Sequence, residues 1–392
     1  MTADEGFRAD DRRFLSALRR DLHRHPELSW REERTQERLE RALQECGIPT
    51  VERIARTGLV ARIPGRDATA PPVALRGDVD ALPITEATGL AYASETPGVM
   101  HACGHDVHAA WAVGAALLLA REPAAGEVRV VLQPAEEVGE GARAVLASGA
   151  LEGVLAIFGA HVDRRFAVGE VVAQEGALAA STDTFALTLH GAGAHGARPH
   201  EAADPIVAAA AVIGALQTIV SRRLDPALPG VVTVGVIHAG HAANVIPENA
   251  ELAGTIRATT PETRALLFGE VEGIVRGIAG AHRVRADLRF NEGTPPVVNP
   301  PEGAAWAIQA VHDVLGARAL VPLGAANMGG EDFAFYLEKI PGCFLRIGAR
   351  EPDGERIAAH SPRFHASEES LFVGALVLAQ CARVASAAVA KR

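Results

Sequence analysis

Two apolar, β-rich runs, Val128 to Leu132 and Val154 to Phe158, each lead straight into metal-ligand side chains. Gln133-Pro134-Ala135-Glu136-Glu137 follows the first, and Gly159-Ala160-His161 closes the second. A third such segment, His101-Ala102-Cys103-Gly104-His105-Asp106, opens an alanine-rich stretch of helical character from about Val107 to Ala120. Strands alternating with helices predict an α/β domain whose parallel or mixed sheet is covered on both faces. If the strands are parallel neighbours, their carboxyl ends share the edge where open α/β sheets place their active sites. Thiolate, imidazole and carboxylate groups then converge, a donor set that suits zinc or a similar first-row ion better than calcium or magnesium. Consecutive residues in extended chain point to opposite sides, so one of Glu136 and Glu137 is expected to bind metal while its neighbour faces water. That division suits metal-assisted hydrolysis, which needs a carboxylate to take a proton and hand it on.

The chain has 392 residues, 48% of them apolar, which is more than one hydrophobic core usually supports, so two domains are expected. Net charge is −10 with no long basic run, which argues against a nucleic-acid partner. The start Met1-Thr2-Ala3-Asp4-Glu5 is acidic and lacks the features of a secretory signal. No segment is expected to span a membrane, a task that takes roughly 20 apolar residues, and Leu371 to Ala379 reads as a core helix. Four cysteines, Cys46, Cys103, Cys343 and Cys381, have spacings unlike a disulfide framework, and a cytoplasmic location fits them best.

Apolar residues recur at helical spacing from Asp10 to Cys46, broken at His25-Pro26, and predict two helices. Leu59 to Ile63 and Val73 to Leu75 read as strands. The pattern changes near Ser181. Thr184 to His190 alternates as a strand, Pro205 to Arg222 is helical, Val231 to Ile237 and Ala250 to Ile256 are strands, Glu262 to Ala279 is a helix and Arg283 to Phe290 a strand. This βαββαβ order matches a ferredoxin-like sandwich of about 110 residues. The expected organisation is therefore a discontinuous metal-binding α/β domain, 1–182 and 294–392, with an inserted domain at 183–293.

Seven segments together carry a resemblance to a known family: His23-Arg24-His25-Pro26-Glu27-Leu28-Ser29, Arg76-Gly77-Asp78-Val79-Asp80-Ala81-Leu82-Pro83, Cys103-Gly104-His105-Asp106, Pro134-Ala135-Glu136-Glu137, Asn244-Val245-Ile246-Pro247, Gly329-Gly330-Glu331-Asp332-Phe333 and His360-Ser361-Pro362. In order, over nearly the whole length, they resemble the M20 metallopeptidase and amidohydrolase family. The resemblance is to the branch that hydrolyses N-acyl amino acids, which includes hippurate hydrolases, indoleacetyl-amino-acid hydrolases and N-acetyl-diaminopimelate deacetylases.

The resemblance implies a site of two divalent metal ions, zinc, manganese, cobalt or nickel, held by Cys103, His105, Glu137, His161 and His360, with Cys103 bridging. It makes Glu136 the general base and acid, and Asp80 a carboxylate that orients a ligand or the base. His365 competes with His360, and Arg363-Phe364-His365-Ala366 departs from the more acidic sequence common after this motif. In the inserted domain, Gly191-Ala192-Gly193-Ala194-His195-Gly196 resembles a glycine-rich loop whose histidine stabilises the developing oxyanion, although alanine stands at 192 and 194. His200 caps or packs the following helix, and His241 stands where relatives commonly have a small residue. Asn244 and Arg257 match positions that hold a substrate carboxylate, for which an arginine fork is well shaped.

The activity so implied is hydrolysis of the amide bond of an N-acyl-L-amino acid, a small-molecule substrate, to a carboxylic acid and a free amino acid. The resemblance makes the inserted domain a lid and dimerisation surface, so a homodimer or larger homo-oligomer is expected. A dipeptidase or aminopeptidase of the same fold is the alternative within the family. From another class, the alternative is a metal-binding or scaffolding protein without turnover, which would have no need of Glu136.

Overall fold

The computed structural model describes residues 6–48 and 50–392; the acidic start Met1 to Glu5 lies outside them. The chain forms two compact units. The first comprises residues up to Gly176 with Asn299–Gly324 and Phe335–Arg392, and the second Ala177–Val298 with Ala325–Ala334.

The first unit is built on a seven-stranded mixed sheet. Its spatial order is Thr50–Ile54, Gly58–Ile63, Val128–Gln133, Val73–Asp78, Ile157–Ala167, Gly342–Arg350 and Val171–Val172. The four strands from Val128–Gln133 to Gly342–Arg350 run parallel, so their carboxyl ends share one edge. Every residue of Val73–Asp78 is buried, as befits a strand covered on both faces. Thr50–Ile54 gave no sequence signal: as an edge strand it buries nothing fully and carries Glu52 and Arg53.

Helices Ala9–Arg24 and Glu33–Glu45 flank the His25-Pro26 break. Glu27 fills the gap by accepting hydrogen bonds from the Arg34 and Thr35 amides at 3.2 and 2.7 Å, which satisfies open donors at the start of the second helix. The central helix, His105–Arg121, is buried from His105 to Leu119 and packs on Val73–Asp78 and on helices Ala9–Arg24 and Glu369–Val389. Close approach depends on glycine. A Cβ on Gly77 would stand 2.6 Å from the His108 carbonyl, and one on Gly374 would stand 2.2 Å from the Trp111 ring.

In the second unit, an antiparallel sheet in spatial order Gly230–Ala239, Asn249–Ala258, Asp183–His190, Arg285–Asn291 packs helices Pro205–Thr218 and Pro261–His282 over a core that includes Leu187, Val212, Ile256 and Leu267. The chain order is strand, helix, strand, strand, helix, strand. Asp204 caps the first helix by accepting from the Ile206 and Val207 amides, so His200, in a short 3-10 turn, is not the cap. Ala325–Ala334 groups with this unit because the Ala180 amide donates to the Asn327 carbonyl at 2.9 Å and the Asn327 amide to the Leu178 carbonyl at 3.0 Å.

Two helices, Pro205–Arg223 and Glu369–Val389, are long and apolar enough to cross a bilayer by length and composition alone. Glu369–Val389 is mostly buried in the core of the first unit, and Pro205–Arg223 lays Ala208, Ala209, Val212 and Leu216 on its own sheet. Glu369–Val389 shows that a core helix passes the same test as a membrane span.

Candidate metal centre

The carboxyl edge of the parallel strands gathers the ligand-bearing segments of the first unit. Ligand atoms of Cys103, His105 and His161 lie within 4.8 Å of one another, as do those of Cys103, Glu137 and His360, and those of His105, Glu136 and Glu137. Cys103 belongs to two of these groups. It is followed by Gly104, whose φ of +91° starts helix His105–Arg121 and whose missing Cβ would strike Val162 at 2.4 Å. Thiol and imidazole, two residues apart, therefore face one spot from either side of a left-handed turn.

Glu136 and Glu137 are not in extended chain, and their division is not strand alternation. The strand stops at Gln133, Ala135 turns left-handed at φ +53°, and a turn closes with the Gly139 amide donating to the Glu136 carbonyl at 2.7 Å. Both carboxylates approach His105 Nε2, Glu136 Oε2 at 3.9 Å and Glu137 Oε1 at 3.8 Å. Buried Glu32, which sequence reasoning passed over, holds this turn: one oxygen accepts from the Ala135 amide at 3.0 Å and the other from the Thr57 hydroxyl at 2.6 Å.

Asp80 lies behind the same turn with 1% of its surface exposed. It accepts from the amides of Glu136 and Glu137 at 3.1 and 3.0 Å and from the Ser29 hydroxyl at 2.7 Å, and it meets His105 Nδ1 at 3.2 Å. With Nδ1 donating to Asp80, Nε2 turns toward the carboxylates of Glu136 and Glu137; burial opposes charge on the ring, but Asp78, Asp80 and Cys103 raise its pKa well above 6.5. His161 is fixed likewise: Nδ1 bonds to the Val162 carbonyl at 2.6 Å, and Nε2 lies 3.1 Å from Cys103 Sγ. His161 does not end its strand, which continues to Ala167. It stands past the last residue paired with Val73–Asp78, where the neighbouring strand no longer covers it.

His360, itself left-handed at φ +67°, brings Nε2 to 3.5 Å from Glu137 Oε2. His365 points elsewhere, Nδ1 to the Arg363 carbonyl and Nε2 toward Glu351. Arg346 was also missed: buried and opposite His161 in parallel register, it adds positive charge beside that ring. His195, Asn244 and Arg257 lie on the second unit. His195 is exposed in a two-residue strand paired with Val245–Ile246, and Arg257 reaches the Ser181 carbonyl at 3.5 Å.

The donor set fits a divalent cation. Among the described residues, His105 Nε2 and Glu137 Oε1 are buried with no hydrogen-bond partner, a costly condition that coordination relieves. Burial pushes the Glu137 carboxyl up to about 7 and lifts the Cys103 thiol well above its ordinary range, helped by the charges of Glu137 and Glu136. Burial, with His108 and Arg346 nearby, keeps His161 neutral. A cation among these groups would reverse the first two shifts, displace the proton from His105 Nε2 and use the imidazole lone pairs.

The sequence profile of peptidase family M20/M25/M40 matches residues 74–384, most of the chain. The chain belongs to that family. Among M20 relatives, N-acetyl-L-cysteine deacetylase of Bacillus subtilis is 39% identical over 94% of this chain and 87% of its own length. Thermostable carboxypeptidase 1 of Saccharolobus solfataricus is 36% identical over 93% of each chain. The crystal structure of the Bacillus subtilis YXEP protein, described as a dinuclear metal binding peptidase of the M20 family, superposes with a TM-score of 0.85. It is 36% identical, and the match covers 96% of this chain and 99% of that one. The mixed α/β fold is thus that of M20 hydrolases.

Proposed function

We propose that this M20-family chain hydrolyses the amide bond of N-acyl-L-amino acids, with two divalent cations held by Cys103, His105, Glu137, His161 and His360. The observation that carries the reading is the convergence of a thiol, three imidazoles and a carboxylate at one sheet edge, with a second carboxylate, Glu136, beside them. Cys103 shares its surroundings with both groups of donors, as a bridging ligand would. The cations, when bound, would polarise the scissile carbonyl and make water acidic enough to react near neutral pH.

Glu136 takes the proton from the attacking water and returns it to the departing amine. Asp80 fixes the Glu136 and Glu137 amides and the His105 ring together, so one buried carboxylate sets the aim of three groups. On the second unit, His195 is the candidate donor to the developing oxyanion, and Asn244 and Arg257 the candidate holders of the substrate carboxylate. The choice of an N-acyl amino acid is supported by the deacetylase relative. A homodimer, with the inserted domain as its surface, is part of the same reading.

A second reading, cleavage of peptides next to a free carboxylate, is favoured by the carboxypeptidase relative. A hydrolysis panel of N-acetyl, N-benzoyl and indoleacetyl amino acids beside free and blocked dipeptides, on enzyme stripped of metal and reloaded with zinc, manganese, cobalt or nickel, separates the two. Preferred turnover of dipeptides would overturn the N-acyl reading. No turnover of any substrate, with cation uptake intact, would favour a binding protein.

A further inference from the structure

His108 lies one helical turn beyond His105 and is fully buried, between the metal centre and the core. Its ligand atoms come within 4.8 Å of those of Asp78 and His105, which at first sight makes it a further metal ligand. The hydrogen bonds argue otherwise. The Val162 amide donates to His108 Nε2 at 3.0 Å, so Nε2 carries no proton. Nδ1 must then hold it, and that N–H donates to Asp78 Oδ1 at 2.6 Å. Neither nitrogen is left for a cation.

Asp78 is itself fixed to the sheet: its other oxygen pairs with Arg76, whose Nε donates to Gln133 Oε1 at 2.8 Å, where the Tyr336 hydroxyl also donates at 2.9 Å. The His108 ring stacks on Trp111, centroids 4.5 Å apart at 19°, and meets His161 edge-on at 4.7 Å. Strand Ile157–Ala167 pairs with Val73–Asp78 only as far as Gly159 opposite Arg76. Beyond that point Val162 takes side chains as partners, His108 on its amide and His161 on its carbonyl.

We propose that His108 is a positioning residue for the metal centre: through a relay from Asp78 to His108 to the Val162 backbone to His161, it sets the direction of the His161 lone pair and binds no cation itself. This rests on His161 being a ligand, so the experiment begins with zinc and Co(II) titrations, by chelator competition, of wild type and His161→Ala. Unchanged affinity in His161→Ala, or no cation uptake by wild type, removes the metal assignment itself. Failure of the relay alone reads differently, as an effect confined to the His108 variants.

His108→Phe keeps the ring stack and loses the acceptor; His108→Gln keeps an acceptor. Outer partners of metal-bound histidines are typically worth about 10- to 100-fold in metal affinity. His108 acts one bond further out, through Val162, so His108→Phe should weaken zinc binding by about the lower of those factors and alter the Co(II) absorption bands, with stoichiometry unchanged. His108→Gln should restore most of both. Wild-type affinity and spectrum in His108→Phe would overturn the proposal, and so would loss of one whole metal equivalent in both variants. Wild-type protein labelled with 15N-histidine supplies a test independent of how the variants fold. His108 should keep the signature of a neutral ring protonated at Nδ1 with and without zinc, while His161 Nε2 shifts on loading. A metal-type shift at His108 would refute the relay.

Discussion

At the scale of single residues, the decisive contrast is between two neighbouring glutamates. Glu137 Oε1 is buried without a hydrogen bond, 3.8 Å from His105 Nε2, whereas Glu136 stands beside the same imidazole without being needed as a ligand in the proposed set. Glu136→Gln should keep its cations by chelator competition yet lose on the order of a hundredfold or more in kcat, the range for a positioned acid–base group. Retention of full kcat would remove it from proton transfer. Asp80→Asn acts differently. An amide cannot accept from Ser29, His105 and two backbone amides together, so kcat/KM should fall by about 10- to 100-fold with some loss of metal. Wild-type values for both would show that the turn holds itself. The turn carrying Glu136 and Glu137 could be placed from sequence because strand Val128–Gln133 ends where its apolar run stops, whereas His161 sits inside a strand that runs on to Ala167. Glu32, Asp78 and His108 could not, because what matters in them is a hydrogen bond to a group far away in the chain.

Elements answer to packing and charge. Helix His105–Arg121 meets its neighbours through small residues, and adding a methyl where a Cβ would stand 2.2 Å from Trp111 forces movement. Gly374→Ala should therefore cost about 1–3 kcal/mol, read as a lower Tm; an unchanged Tm would mean that the two helices can slide apart freely. His23, near the end of the first helix, bonds Asp106 at 2.9 Å and Glu86 at 3.3 Å. Burial opposes its charge, yet Asp106 and Glu86 raise its pKa above the ordinary 6.5. A raised folded pKa contributes stability that is complete below the unfolded value and is lost as pH climbs through the folded one. The Tm deficit of His23→Gln relative to wild type should then be greatest at about pH 6 and shrink toward about pH 9. A deficit constant over that range would show that shape, not charge, is what matters there. Most elements could be read from periodicity, including the strand-helix order of the second unit. Strand Thr50–Ile54 and the true length of Ile157–Ala167 could not, since polar residues occupy one and the other outlasts its apolar run.

For the molecule as a whole, the proposed ligand set would link cation binding to folding, because donors from four separate segments must be in place before a cation can be held. At a free cation concentration a hundred times Kd, binding to the native state alone adds about 2.7 kcal/mol. Stripping the enzyme with a chelator should thus lower Tm by roughly 5–10 °C, and zinc should restore it. Identical melting with and without chelator would contradict a site built into the fold. No periodicity could bring position 360 beside position 103. That juxtaposition has a consequence for the chain while it is being made. At about 5–20 residues per second, the ribosome adds the last donor on the order of tens of seconds after the first. Until then a nascent chain has only a partial chelate, so full loading, on this reading, waits until position 360 has been made.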